Sequence, residues 1–285
     1  MQNIRDIKSR IESIRNTRQI TNAMKMVSAA KLRKAQNGII NARPYADHIK
    51  EMLMTINYKK NNFSDRIFQK PGENAKRALV VVTADRGLCG SFNSMIIKAA
   101  IQYIEKYPQT DIICIGKKGY DIFKKKSVKM IKSYIGLFNE MDFSVSAEIA
   151  HELNTRFYQS QYDQIEVLYN EFKSVMQQNI IHNTILPIQG NDDIEGVSTL
   201  DYLYEPSQEE VIEELSQKYI NVEIWRILLE SSASEQGARM TAMDSATDNA
   251  TELIQSLTLE YNMVRQAAIT REIIEISSGA EAQNQ

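Results

Sequence analysis

The sequence contains few glycines, prolines, cysteines and histidines. Its 285 residues include 11 glycines and 5 prolines, and this scarcity favours long helices over a loop-rich all-β fold. The two cysteines, Cys89 and Cys114, are too few for a disulfide framework and are typical of reduced, buried thiols. The three histidines lie far apart along the chain and lack the spacing of metal ligands. We therefore predict no metal site and no bound cofactor.

Long apolar runs are also missing. The longest uncharged stretch, residues 174–191, contains Gln, Asn and His throughout, so we expect no membrane-spanning segment. The amino-terminal MQNIRDIKSRIESIR has no apolar core of the kind that a signal peptide needs. We therefore expect a protein that is not exported by that route and is not itself inserted in a membrane.

The small net charge of −2 conceals an asymmetry between the two ends of the chain. Residues 1–57 contain 11 Lys and Arg against 4 Asp and Glu, a balance of +7, and residues 206–285 contain 5 against 14, a balance of −9. Each run alone is typical of a solvated helix face. Opposite signs at the two ends also favour pairing between them, so the basic stretch need not bind nucleic acid, and we predict no nucleic-acid partner.

Both ends of the chain have the apolar spacing of long helices. In residues 1–57 apolar side chains recur at intervals of three and four, and the last segment has the same spacing without a proline. A helix of more than 70 residues extends beyond any compact domain. We predict an antiparallel coiled coil made of residues 1–57 and 207–285. Its apolar stripe in the last helix consists of Met240, Met243, Thr247, Ala250, Ile254, Leu257, Tyr261, Val264 and Ala268.

The middle of the chain has the pattern of an α/β domain, which we place at residues 74–196. Short β-branched runs alternate with helical stretches at the spacing of a small, mostly parallel sheet. A short link between the last two runs favours an antiparallel hairpin. The predicted strands are 78–83, 111–116, 128–135, 163–169 and 179–188, and the predicted helices are 92–106, 117–126 and 143–161.

The stretch VVVTADRGLCGSFN resembles the strand, glycine turn and helix start of a nucleotide site. A P-loop, however, needs a Lys and a Ser or Thr after its second glycine, and no lysine follows Gly90 until Lys98. The turn offers G-x-x-G where the dinucleotide fingerprint needs three glycines. We therefore favour a structural role for Asp85, Arg86, Gly87 and Gly90 over nucleotide binding, with Ser91 or Asn93 as the helix cap. Cys89 is more simply a buried thiol than one activated by Arg86.

Four separate motifs give the chain a specific resemblance to the gamma chain of the rotary ATP synthase. They occur in the same order and at the same spacing as in that family, and they span the whole chain. The motifs are IRNTRQITNAMKMVSAAKLRKAQ, TADRGLCGSFN, DYLYEP, and SEQGARMTAMDSATDNA followed by VRQAAITREIIEISSGA. The resemblance implies an antiparallel coiled coil of both termini with an inserted Rossmann-like α/β domain, as periodicity and charge also indicate.

The function that the resemblance implies is that of a non-catalytic rotor shaft. In the family, the coiled coil lies inside a hexamer of alternating alpha and beta subunits, and the globular domain docks on the epsilon subunit and the membrane c ring. Proton flow turns the ring, and the shaft drives the beta subunits through their conformations. The resemblance further implies a peripheral position on the cytoplasmic face of a bacterial plasma membrane.

The resemblance also assigns contact residues. It implies that Arg265, Gln266 and Thr270 contact a beta subunit. The same partner is implied for a second set that consists of Met24, Arg239, Lys31 and Arg33. Tyr202, Tyr204 and Glu205 in DYLYEP are implied as the foot that touches the c ring and epsilon. Gly237, inside the last helix, prompts the hypothesis that the shaft is softened there, since glycine is costlier than alanine in a helix by about 1 kcal/mol.

Two other functions remain open on the residues alone. One is an α/β enzyme or nucleotide-binding domain carried on a coiled-coil arm, and the other is a plain structural tether. Nucleotide binding by the isolated chain separates the first from the rotor, because the rotor is expected to bind none. Co-purification with alpha and beta subunits separates the tether from the rotor.

Overall fold

A computed structural model of the chain describes residues 4–59, 66–72, 75–126, 128–139, 141–188 and 204–283. Two long helices, α1 (Ile4–Lys59) and α5 (Gln208–Gln283), enclose an α/β region in the sequence. That region consists of β1 (Arg77–Val82), α2 (Phe92–Lys106), β2 (Thr110–Ile115), α3 (Lys117–Phe123), β3 (Met130–Tyr134), α4 (Phe143–Tyr158), β4 (Gln164–Phe172) and β5 (Gln178–Leu186). The predicted coiled-coil helices and inserted mixed sheet are confirmed.

The chain divides into two compact units. The first contains Met1–Val27 and Met240–Gln285, and the second contains Ser28–Arg239. About half of each long helix therefore belongs to the unit that contains the sheet, and the remainder forms the other unit. The predicted boundaries of 1–57, 74–196 and 207–285 follow secondary structure instead of packing, and they stay a prediction.

In the first unit α1 and α5 pair in an antiparallel manner. Ile7 and Ile11 form a buried cluster with Leu257, while further along α1 the hydroxyl groups of Thr21 and Thr247 lie 2.8 Å apart. Rising numbers on α1 thus meet falling numbers on α5. The predicted apolar stripe forms the seam as far as Val264, with Met243, Ala250 and Leu257 buried. The prediction is wrong for its last residue, Ala268, which is exposed because α1 does not cover that part of α5. An ion pair between Lys25 and Asp244 joins the basic and acidic helices, as their opposite charge predicts.

The second unit is built on a five-stranded sheet with the order β3-β2-β1-β4-β5. The first four strands are parallel, and β1 pairs with β2 on one side and with β4 on the other. β5 returns antiparallel to β4, as the short link in the sequence predicts. The strand order reverses direction at β1, which makes the crevice between the carboxyl ends of β1 and β4 the place where open α/β sheets bind ligands.

Both faces of this sheet are covered. On one face Leu79 and Val81 of β1 pack with Ile96 of α2 and Phe123 of α3. On the other face Val80 and its neighbours pack against α4 and against parts of both long helices. Burial on two faces explains why the central strands β1 and β2 are nearly continuous apolar runs and not alternating ones. The residues that the long helices contribute are Ile49, Leu53 and Met54 of α1 and Tyr219, Ile220, Ile224, Ile227 and Leu228 of α5.

Within the described part of the chain, no helix is both long and apolar enough to cross a membrane. The same residues contain no group of three or more His, Cys, Asp or Glu side chains arranged to hold a metal ion.

Two glycines in the second unit are expected to respond oppositely to alanine. A Cβ at Gly237 would lie 3.5 Å from Phe172 and from the Val175 carbonyl, an ordinary contact, so Gly237→Ala should raise the free energy of unfolding by about 0.5–1 kcal/mol. Gly116 has φ +92°, and a Cβ there would lie 2.0 Å from the Thr83 carbonyl oxygen. Gly116→Ala should therefore lower the same quantity by more than about 2 kcal/mol. Urea unfolding followed by circular dichroism measures both, and a destabilised Gly237→Ala variant would contradict the packing described here.

Candidate functional site

A nucleotide site would lie at the carboxyl edge of the sheet, because the turn after β1 resembles the glycine turn of such sites. This turn, residues 83–90, lies where the strand order reverses, beside the crevice between β1 and β4. Leu88 has φ +64° and Gly90 has φ +57°. Leu88 is 66% exposed, so the turn holds a leucine in a left-handed conformation at the surface. The surrounding contacts must fix this conformation, since it is unfavourable for a residue with a Cβ.

Asp85 fills the anion position of this edge with its own carboxylate. The backbone N–H groups of Lys117 and Gly136 donate to Asp85 Oδ1 at 3.0 and 2.9 Å. The N–H of Phe138 donates to Oδ2 at 3.4 Å. These donors belong to the turns after β2 and β3, so one side chain joins three consecutive strand ends. In a nucleotide site such N–H groups would face a phosphate, but here they are already occupied.

Thr83 closes the same edge between β1 and α3. Its hydroxyl donates to the Ile115 carbonyl at 3.0 Å and accepts from the Gly119 N–H at 2.9 Å. A Cβ at Gly119 would lie 2.9 Å from that hydroxyl oxygen. The glycines of Gly116-Lys117-Lys118-Gly119 therefore allow close packing of α3 on Thr83 and leave no gap for a ligand between them.

Helix α5 covers the rest of the crevice. Ala238 packs on a cluster made of Ala84, Cys89 and Phe92 in the turn and at the start of α2. The Arg239 guanidinium donates to the carbonyl oxygens of Arg86 and Gly87 at 3.4 and 3.2 Å. The polar groups that a nucleotide would use are thus paired within the chain, which favours the architectural interpretation of the turn over nucleotide binding.

The helix cap at the start of α2 differs from the prediction, whereas the buried Cys89 thiol agrees with it. Ser91 stands at the N-cap of α2 without a side-chain cap hydrogen bond. Asn93 instead accepts from the Ala84 N–H at 2.9 Å and donates to Cys89 Sγ at 3.1 Å. Burial raises the pKa of the Cys89 thiol, although Arg239 opposes the rise. The alternative of a thiol activated by Arg86 is therefore wrong, and burial likewise raises the pKa of Cys114 to about 12.

Arg239 forms a buried ion pair with Glu235, one helical turn earlier on α5. Arg239 Nη1 lies 2.6 Å from Glu235 Oε1, and the two side chains are only 9% and 6% exposed. Burial raises the pKa of Glu235, while the charges of Arg239 and Lys31 oppose the rise. Arg239 was expected to contact a beta subunit. Its described contacts lie inside the chain and hold the turn after β1, and a contact with a partner stays a prediction.

The free tip of α5 presents a different surface. Arg265, Gln266 and Thr270 lie in the first unit, beyond the last seam residue Val264, and every residue from Arg265 to Gly279 is exposed. Thr270 Oγ1 donates to the Gln266 carbonyl at 2.9 Å, so it is satisfied along the helix. The exposed apolar side chains of this tip are Ile269, Ile273, Ile274 and Ile276. The structure thus groups these three predicted contact residues on one bare helix.

The remaining predicted contact residues are dispersed. Met24 is half-buried on α1 in the first unit, whereas Lys31 and Arg33 are exposed on α1 in the second. Tyr204 is half-buried and Glu205 is exposed just before α5, and Tyr202 lies outside the described residues. The roles given to these residues stay predictions.

The sequence reasoning missed a buried ionic cluster between α1 and α5. Glu230 has a fully buried side chain whose Oε1 lies 3.1 Å from Arg43 Nη2 and 3.5 Å from Arg226 Nη1. Burial raises the pKa of Glu230, and both arginines oppose the rise. Arg226 also pairs with Glu223 at 2.6 Å. The spacing of three and four between Glu223, Arg226 and Glu230 was a signal of such a cluster, but the partner on α1 lies 187 positions away.

Comparison with known proteins finds the same family that the sequence motifs indicate. The profile of the ATP synthase family matches residues 3–283. The ATP synthase gamma chain of Prosthecochloris aestuarii is 45% identical over 291 residues and covers 99% of each chain. The gamma chain of Salinibacter ruber is 43% identical, with 99% of this chain and 98% of that one covered.

Solved structures agree. A chain from the central stalk and c ring of the Tetrahymena thermophila mitochondrial ATP synthase is 27% identical, with a TM-score of 0.63 over 80% of this chain and 99% of that one. A chain of the Euglena gracilis mitochondrial ATP synthase is 19% identical and has a TM-score of 0.70 over 98% and 94% of the two chains, which supports the fold.

Asp85→Asn tests whether the carboxylate holds the three turns together. An amide keeps one acceptor but turns an N–H donor toward a backbone N–H, so the free energy of unfolding should fall by about 1–3 kcal/mol in urea titrations. Asp121→Asn on α3 is the matched control, because it makes the same charge change at a residue whose side chain has no hydrogen bond or ion pair in the described structure. The control should stay within about 0.5 kcal/mol, and equal losses in the two variants would refute the role of Asp85.

Arg239→Ala tests the buried pair. It leaves the Glu235 carboxylate buried without its cation, which should cost about 3–5 kcal/mol of unfolding free energy at pH 7.5. Because burial raises the pKa of Glu235, its protonated form is favoured in the folded state, and this preference stabilises the fold more at low pH than at high pH. The deficit of Arg239→Ala should therefore shrink when the titration is repeated at pH 5.5. A double variant with Glu235→Gln should recover most of the loss, and a deficit below about 1 kcal/mol would show that the pair is not needed.

Proposed function

We propose that this chain, which belongs to the family of ATP synthase gamma chains, turns as the shaft that couples a rotating c ring to the conformations of the catalytic beta subunits. It is a central-stalk subunit of the rotary ATP synthase and does not itself carry the catalytic site.

The bare tip of α5 is the observation that carries the proposal. Every residue from Arg265 to Gly279 is exposed, so α1 does not cover this part of the helix. Four of these exposed residues are isoleucines. An isolated helix of this length is marginal in water, and exposed apolar patches mark interaction sites. A sleeve formed by the alpha and beta hexamer would cover these side chains. The net charge of residues 265–279 is zero, with two arginines and two glutamates, and this balance suits an axle that must turn inside that sleeve.

The contact residues on the two helices would make the interaction with the beta subunits depend on the rotational position of the shaft. A helix pair is not rotationally symmetric, so Arg265, Gln266 and Thr270 meet one beta subunit at a time, and Met24, Lys31 and Arg33 offer further contacts from α1. A ligand shifts a conformational equilibrium only through its different affinity for the two states. In our proposal the asymmetric contacts of the shaft act as such a ligand, favouring a different conformation in each beta subunit as the shaft turns.

The footing of the shaft lies in the second unit. We assign Tyr202, Tyr204 and Glu205 to contact with the c ring and the epsilon subunit. Arg239 and Asp85 then act indirectly, because they hold the strand ends of the α/β domain in fixed positions. We further propose that protons drive the ring and that the chain works at the cytoplasmic face of a bacterial plasma membrane as a peripheral subunit.

Two experiments separate the rotor from the alternatives. A tagged chain expressed in its own cells and purified in mild detergent should bring down alpha, beta, epsilon and c subunits. Recovery without alpha and beta would sink the rotor function. Isothermal titration of the purified chain with Mg-ATP should give no binding tighter than about 1 mM, whereas a micromolar site that Asp85→Asn abolishes would favour the nucleotide-binding alternative.

Arg265→Glu tests the contact at the tip. Reversal of this charge should lower ATP synthesis driven by an imposed proton gradient by about tenfold, because about 1.4 kcal/mol of differential contact corresponds to a factor of ten in rate. Amounts of assembled complex should stay close to those of the wild type.

Arg10→Glu is the matched control, since it makes the same charge change on an exposed residue of α1 in the same unit. Synthesis by the control should remain within about twofold of the wild type. If Arg265→Glu also stays within that range, Arg265 is not part of the coupling contact.

A further inference from the structure

The amino-terminal edge of the sheet collects lysines from separate parts of the chain. Parallel strands all begin at one edge, and the helices that cross between them return to it with their carboxyl ends. The residue before β1, the last residue of α2 and the end of α3 therefore come to the same side of the domain. The lysines at these places, which we call the basic edge, are Lys76, Lys106, Lys124, Lys125 and Lys126.

Two acidic residues of this edge are already engaged, and a third, Glu105 beside Lys106, is exposed. Asp111 Oδ2 accepts from Lys129 at 2.7 Å and from the Tyr162 hydroxyl at 2.6 Å. Asp163 accepts from Arg66 at 3.0 Å and from the backbone N–H of Lys76. Asp111 and Asp163 stabilise the edge internally, and the single exposed Glu105 cannot neutralise five lysines, so the basic edge keeps a positive charge.

The basic-edge lysines themselves are exposed and make no ion pair that we observe within the described ranges. Lys106 lies 5.2 Å from the centre of the Tyr107 ring, and Lys124 lies 5.4 Å from that of Tyr120. A cation at a helix carboxyl end is favourable through the helix dipole. That effect accounts for Lys106 on α2 and for one lysine on α3, but not for three consecutive lysines after α3 together with Lys76.

The kind of cation indicates the kind of partner. Arginine forms rigid, bidentate pairs, whereas lysine is a flexible, strongly hydrated point charge. Arginines at this edge are used inside the domain, as Arg66 on Asp163 and Arg77 on the Tyr107 ring at 4.2 Å show. The outward-facing cations are all lysines without an ion pair in the described structure, spread over three elements, with two half-exposed tyrosines beside them. This is the chemistry of a broad anionic surface and not of a stereospecific pocket.

We propose that the basic edge binds the headgroup surface of an anionic lipid bilayer. The contact is peripheral, and it orients the amino-terminal edge of the sheet toward the membrane. It goes beyond the coupling function, because it needs neither the hexamer nor the tip of α5. Each lysine near such a surface is attracted through the negative surface potential, which falls off within a Debye length.

Vesicle flotation of the purified full-length chain tests this directly. The wild type should bind vesicles of phosphatidylcholine with about 30% phosphatidylglycerol at low salt, should bind much less at about 200 mM NaCl, and should ignore pure phosphatidylcholine. Replacement of all five basic-edge lysines by glutamine should raise the lipid concentration for half-binding at least about tenfold. Circular dichroism should show unchanged helix content.

The control variant removes the same charge elsewhere. It carries glutamine at five exposed lysines away from the basic edge, namely Lys8, Lys34, Lys50, Lys98 and Lys173. Its half-binding concentration should rise by less than about threefold. An equal loss in both variants would show that only net charge matters, and absence of wild-type binding to anionic vesicles would overturn the proposal.

A labelled polyglutamate peptide stands for an acidic protein surface. If it binds the wild type below about 10 µM and loses affinity in the basic-edge variant while vesicles do not bind, the partner is an acidic protein and the bilayer proposal is wrong. Since none of these readouts involves alpha or beta subunits, failure here leaves the coupling proposal standing, and failure of co-purification leaves this one standing.

Discussion

Burial of one stretch of α5, residues 227–239, is the constraint on which the second unit depends. Every residue of this stretch is buried except Ser232 and Ala238, which are half-buried. Leu229 and Ala233 pack on α1, Gly237 meets the hairpin between β4 and β5, and Arg239 holds the turn after β1. Burial of polar groups in an enclosed helix is costly where they stay unpaired, as the hydroxyls of Ser231 and Ser234 do in the described structure. This one combines small side chains, which admit close neighbours, with the paired charges of Glu230 and Glu235.

The enclosure of α5 also explains why a nucleotide-like topology does not indicate a nucleotide site here. The sheet has the strand order, the reversal point and the glycine turns of a dinucleotide-binding fold, but function belongs to sites and not to folds. Asp85 occupies the anion position and α5 covers the surface, so the crevice is filled by contacts within the chain. A feature that binds substrate in one family can therefore fasten a domain to a helix in another.

The sequence predicted the elements better than it predicted their contacts. The three-and-four spacing from Met240 to Ala268 predicted the seam except for its exposed last residue. The β-branched runs predicted all five strands to within a few residues, because both patterns are local and repeated. Asn93 was expected at a helix cap but binds Ala84, and the contact of Arg239 with Gly87 was not predicted. Neither contact has a local signature, since the residues that meet are brought together by the sheet. The motif resemblance gave the family, which periodicity alone did not.

The antiparallel pairing of Ile7 with Leu257 has a consequence for biosynthesis. The ribosome releases α1 first, yet the seam that covers its apolar stripe is translated last, some 250 positions later. Throughout translation the basic amino-terminal helix lacks its acidic partner, and the sheet has time to form before the coil can close. Closing such a long loop is slow compared with local helix formation, so the sheet is expected to fold as a unit before the first and last helices meet. The nascent chain thus exposes a cationic amphipathic helix that chaperones or neighbouring subunits must tolerate until termination.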